Sequence, residues 1–240
     1  MKLTEYIPLV LLSVLLAVLL RRHAWRSFPW FFAYAAFAVG ADVARFITRN
    51  GHAYFWTYWM TEAGYALLGI AVMYEVSRRT FGNLGRWWWL RVLFPILILV
   101  SVAITLGRGT GLPVGLYNRT MVAIVFTEIA VRFLQVLIFA TLVTLVPVLG
   151  LRWRQYAFGI AAGFGVYSTT ALLATTRFSV FGTSYALSWG WAMIVSYSCA
   201  VLIWLSFFSA TEQAAPPGKT PALSFQELKL YRKLLRRINR

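Results

Sequence analysis

Cysteine, histidine, lysine and acidic side chains are all scarce in this chain, and each scarcity removes a class of function. Cys199 is the only cysteine, so no intrachain disulfide can form. It lies in the last apolar run and is expected to pack as a small apolar residue. The two histidines, His23 and His52, both fall between apolar runs. Neither buried bis-histidine haem ligation nor an intramembrane metal centre of clustered imidazoles is expected. The sequence has no phosphate-cradling glycine loop, no nucleophile–histidine pair and no metal-ligand cluster. An enzyme is therefore not expected, and no catalytic residue, metal ligand or cofactor is assigned. Charged residues make up only 12% of the chain, about half the share in a soluble globular domain.

What fills the chain is apolar: 60% of its 240 residues are hydrophobic and the mean hydropathy is +0.69. Seven apolar runs lie at about 5–20, 30–49, 54–76, 88–107, 119–148, 155–176 and 185–209; most are close to the ~20 residues that span a bilayer as a helix, and the long fifth is expected to tilt or to leave the bilayer at its ends. The fold expected is all-α, a polytopic membrane protein built as a seven-transmembrane-helix bundle over residues 1–210. No soluble domain of the usual ~100 residues fits beside it. The first run is read as a retained span, because Arg21 and Arg22 follow it where a cleavage site would be. Residues 211–222 form a Pro- and Ala-rich linker. Residues 223–240 form a basic amphipathic helix, with Leu228, Tyr231, Leu234, Leu235 and Ile238 on one face, suited to the inner leaflet or to a cytoplasmic or membrane protein partner.

The net charge of +16 reads as topology and attraction to anionic membrane lipids, not to nucleic acid, because the basic residues sit in short loops and the tail. The loops after runs 1, 3 and 5 and the tail hold most of the 23 Lys and Arg residues. The positive-inside rule then sets the N-terminus outside and the C-terminus in the cytoplasm, with the protein integral to the bacterial inner membrane. Trp87, Trp88 and Trp89 at one interface and Tyr54, Phe55, Trp56, Tyr58 and Trp59 at the other match aromatic belts. FAVGADVARFITRN from Phe37 echoes FGVYSTTALLATTR from Phe164, which suggests a 3+1+3 layout of two parallel repeats.

A few charges fall inside the apolar runs, where each costs at least ~2.5 kcal/mol near the bilayer centre unless it faces the bundle and is paired. Asp42 and Arg45 lie on the second run, Glu62 on the third, and Glu128 and Arg132 on the fifth. All fall in the outer half of the bilayer, with Glu62 about 12 Å from the outer end of its run at 1.5 Å per residue. Glu128, Arg132 and Gln135 share one helical stripe; Asp42, Arg45 and Arg49 share another. Glu62 shares its face with Tyr58, Tyr65 and Gly69. Three acids against two bases leave one carboxyl without a counter-charge unless Arg49 or Arg177 reaches in from the rim. Glu62, with no Arg or Lys three or four residues away, is expected to be that carboxyl and to be neutral. Glu75 is read as a helical partner of Arg78 and Arg79 at the inner interface.

Buried ion pairs of this kind can simply fix helix register. They can also line a ligand site. The candidate ligand-binding residues are Asp42, Arg45, Glu62, Tyr65, Glu128, Arg132 and Gln135, with Tyr58, Tyr167 and Trp189 as apolar lining. The function expected is a binding or sensing protein for a small amphipathic ligand entering from outside. The alternatives are a non-catalytic accessory subunit of a larger membrane complex and a small-solute, proton-coupled transporter.

The topology resembles microbial rhodopsins, G-protein-coupled receptors and small 3+1+3 sugar carriers. The only lysines are Lys2, Lys219, Lys229 and Lys233, so a retinal Schiff base is excluded. The carriers' paired prolines and the receptors' Asp-Arg-Tyr box are absent. The string YFWTYWMTEAGYALLGIAVMYEV, from Tyr54 to Val76, is similar to the third span of a set of acidobacterial seven-span membrane proteins. That set has no established activity, so the resemblance implies the fold and no functional residue.

Overall fold

The computed structural model describes residues 7–51, 53–81, 89–108, 119–148, 156–181 and 186–210. Among the described residues the chain is all-α. The helices are α1 (Ile7–Arg21), α2 (Ala24–Ser27), α3 (Pro29–Thr48), α4 (Ala53–Phe81), α5 (Trp89–Arg108), α6 (Arg119–Val148), α7 (Tyr156–Phe181) and α8 (Ala186–Ser209). Each apolar run carries one long helix, and α2 is a single extra turn. The expected linker and tail helix (residues 211–240), Trp87 and Trp88, and the side chains of Trp89, Arg177 and Trp189 lie outside the described residues.

Among the described residues, four stretches are long and apolar enough to cross a membrane: Pro29–Thr48, Arg119–Leu145, Tyr156–Ala174 and Gly190–Ser209. Ile7–Arg21 and Val92–Gly107 are apolar but shorter. α4 is 29 residues long, but its carboxylates, arginines and tyrosines keep it out of that set. These helices make the chain a helical membrane protein by length and composition. Its surface agrees: Ile47 is 75% exposed, Leu99 68% and Leu67 67%. Large apolar side chains turned outward while ionised ones turn inward suit a lipid surrounding. Cys199 is also exposed, on the outer face of α8.

Six helices close a ring in the order α1, α3, α4, α6, α7, α8 and back to α1, with α5 outside against α6 and α4. One end of the ring is basic. There the Arg22 guanidinium at the end of α1 donates to the Ser209 carbonyl at the end of α8, and Arg79 at the end of α4 stands over the Phe28 ring at 4.6 Å. α3 begins at this end with Pro29, whose fixed φ suits a first helical position and whose missing N–H would have no partner there.

Glu75 departs from its expected pairing with Arg78 and Arg79. It is buried, and its carboxylate accepts a hydrogen bond from the backbone N–H of Phe31 at 3.1 Å. A carboxylate from α4 thus caps the N-terminus of α3, where free N–H groups and the helix dipole favour negative charge. Above this cap an aromatic layer fills the ring. Phe31 stacks on Phe208 at 5.4 Å and meets the edge of Trp204 at 5.2 Å, and Tyr156 stacks on Phe208 at 4.7 Å. Trp204 donates its indole N–H to the Ile160 carbonyl at 3.2 Å. That contact needs Gly163, because a Cβ there would overlap the indole.

A candidate polar binding cavity

Toward the opposite end, where α3 finishes and α4 and α6 begin, the ring is lined by polar side chains. The Arg45 guanidinium crosses from α3 to α4, donating to the Thr61 hydroxyl (Nε to Oγ1, 2.7 Å) and to the Glu62 carboxylate at 2.9 Å. Thr61 is held for this by donating to the carbonyls of Thr57 and Tyr58 in the preceding turn. The faces of Tyr58 and Tyr65 flank the guanidinium, 4.8 and 5.6 Å from its central carbon. Such contacts stabilise a cation withdrawn from water. Tyr65 is itself fixed by donating to the Ala38 carbonyl at 3.4 Å.

The second ion pair lies along α6. Arg132 pairs with Glu128 one turn earlier, with Nε 3.1 Å from the carboxylate. One guanidinium nitrogen, Nη1, is buried without a hydrogen-bond acceptor. The ring of Tyr167 on α7 stands 5.2 Å from the guanidinium carbon, and its negative face offsets part of the missing bond. One turn further, the Gln135 side-chain carbonyl accepts a hydrogen bond from the fully buried Ser168 hydroxyl. This polar clamp between α6 and α7 is expected where lipid offers no alternative partner.

These groups surround a cavity of about 180 Å³. All seven candidates, Asp42, Arg45, Glu62, Tyr65, Glu128, Arg132 and Gln135, line it. Spacing on single helices indicated the inward stripes, but not which helices would face each other. Tyr167 also lines the cavity, whereas Tyr58 does not; Tyr58 stands behind Arg45 instead. Sequence reasoning missed Tyr34, Phe164 and Tyr197, which complete the wall. Tyr34 lies eight residues before Asp42, two turns along the same face, and that spacing was available as a signal. Tyr197 had none beyond being an apolar-run tyrosine.

One expectation is overturned. Glu62 has no counter-charge within a turn on its own helix, but Arg45 on α3 supplies one. The acid left over is Asp42, which makes no hydrogen bond or ion pair among the described residues. Arg45 is three residues away but is already committed to Glu62 and Thr61. Two paired carboxylates and one unpaired one therefore give the cavity a formal charge of −1 when all are ionised. Among the described residues no three Asp, Glu, His or Cys side chains are grouped to hold a metal ion. The chemistry this wall offers is charge and hydrogen bonding to a bound molecule, with tyrosine faces for its apolar part. No family model matches the chain, and neither a curated protein nor a solved structure matches it.

Proposed function

We propose that this chain is a seven-helix integral membrane protein that binds or senses a small amphipathic ligand in the polar cavity. The basic end of the ring faces the cytoplasm and the cavity opens in the outer half of the bilayer. The tail at 223–240 rests on anionic lipid or docks a partner protein. The observation that carries the reading is convergence: charged residues from α3, α4 and α6 and tyrosines from α3, α4, α7 and α8 line one cavity. A purely structural role for the two ion pairs would not call for that space. It would also leave no reason for an unpaired Asp42, since a carboxylate without a counter-charge is costly within a membrane span.

A carrier is the second reading, and one observation favours it. The ring order is the adjacency that two parallel three-helix repeats, α1–α3–α4 and α6–α7–α8 joined by α5, would produce. Against transit stands the aromatic layer of Phe31, Phe164, Trp204 and Phe208 beneath the cavity, which offers a solute no polar path.

Native mass spectrometry of the protein in mild detergent tests binding directly. Ala66 lines the cavity and is 4% exposed, so Ala66→Leu fills space without touching a charge. The wild type is expected to carry a small-molecule adduct that Ala66→Leu has lost. A wild type without adduct, or an adduct equal in both proteins, refutes the reading.

A further inference from the structure

The polar cavity does not stand alone. A second, larger hollow of about 660 Å³ adjoins it and shares Asp42, Arg45, Tyr167 and Tyr197 with it. Its other walls are mainly apolar: Pro8 and Leu9 of α1, Val43 and Phe46 of α3, Met193 and Ile194 of α8, with Tyr54 and an already engaged Arg49 as the polar members. Val43 and Phe46 are 44% and 58% exposed on the apolar outer surface. The hollow is a cleft bounded by α3, α8 and the start of α1, with partly exposed apolar walls. At the basic end the space between these two helices is instead filled by Phe31 against Phe208 and Trp204.

Size and charge narrow the ligand. A drug-sized molecule occupies a site of roughly 300–1,000 Å³, so a chamber of about 180 Å³ accepts only a head group. The apolar cleft next to it is the place for a tail. Both arginines in the chamber are already neutralised, by Glu62 and Glu128, whereas the Asp42 carboxylate at the junction of the two hollows is not. An anionic head would add negative charge beside Asp42, and the one guanidinium donor left open on these arginines, Nη1 of Arg132, is itself buried out of its reach. An ammonium head would supply the missing charge. A second group also awaits a partner. Tyr34 is 95% buried, being 5% exposed; it lines the chamber, and its hydroxyl makes no hydrogen bond among the described residues. Its lone pairs can accept from an ammonium N–H, and the Tyr197 ring beside Asp42 offers a negative face to the cation.

We propose that the site takes a long-chain ammonium amphiphile that enters sideways from the lipid through the cleft bounded by α1, α3 and α8, its cationic head on Asp42 and its tail in that apolar cleft. This rests on the binding reading above and gives it a ligand class and a route. The test is thermal unfolding of the full-length protein in a neutral maltoside detergent, followed by tryptophan fluorescence. The probes are octylammonium, octanoate, octanol and ethylammonium. A ligand that binds the folded state raises the unfolding midpoint with concentration. Octylammonium is expected to raise it, and the other three to do so at least about tenfold more weakly. Asp42→Asn, nearly the same shape, is expected to weaken octylammonium by about tenfold or more, the loss of one charge-assisted contact. Val43→Trp crowds the cleft from an exposed position that does not threaten folding. It is expected to weaken octylammonium while Asp42 remains. Octanoate or octanol matching octylammonium, ethylammonium matching it, or full octylammonium binding in both variants overturns the proposal. If the native adduct is present and sensitive to Ala66→Leu while octylammonium has no effect, the ligand class is wrong and the binding reading stands. If the adduct is absent as well, both fall.

Discussion

Removing the charge of Glu62 without changing its shape isolates the contact that joins α3 to α4. In Glu62→Gln the Arg45 guanidinium loses its counter-ion but keeps the Thr61 hydroxyl at 2.7 Å and the faces of Tyr58 and Tyr65. It also gains freedom to turn toward Asp42, three residues away on its own helix. Breaking a fully buried ion pair costs about 3–5 kcal/mol. Here the side chains are 22% and 15% exposed and two substitutes remain, so about 1–2 kcal/mol is expected. The direct measure is a double-mutant cycle of Glu62→Gln, Arg45→Gln and their combination. Folding equilibrium would be read by titrating dodecyl sulfate into mixed micelles. Neutral interhelical hydrogen bonds in a membrane protein average about 0.6 kcal/mol in such cycles, with a maximum near 1.7. A charge-assisted bond should lie in the upper part of that range, so the expected coupling is about 1–2 kcal/mol. A coupling at or below about 0.6 kcal/mol would refute the reasoning, because the two charges would then be solvated separately and not joined across the helices.

Two further outcomes are expected from the opposite end of the ring. Glu75→Ala removes the carboxylate that caps α3 at Phe31 and should lower stability by about 1 kcal/mol, in the range of other N-terminal caps; an unchanged dodecyl sulfate midpoint would show that water replaces it. Gly163→Ala forces a Cβ into the Trp204 indole, whereas Gly40→Ala meets nothing within 4 Å. The first should cost about 1–3 kcal/mol by overpacking, and the second should be neutral or stabilising through helix propensity; equal effects on the unfolding midpoint would contradict the packing described.

The sequence alone determined that charge would be turned inward. Asp42, Arg45, Glu62, Glu128 and Arg132 interrupt apolar runs, and in a medium that cannot solvate ions such groups face one another. It also determined the pairs written along one helix: Glu128 and Arg132 are one turn apart, and the structure joins them. Only the tertiary structure decided the rest, because helix adjacency is not encoded in a 3.6-residue period. It brought Arg45 to Glu62 from a neighbouring helix and so left Asp42 as the unpaired acid. It took Glu75 from its expected helical neighbours to the N-terminus of α3. It brought Tyr34 and Tyr197 from α3 and α8 into a wall whose charged members were legible. Periodicity says which face of a helix turns inward; which face it meets depends on how all the helices pack at once.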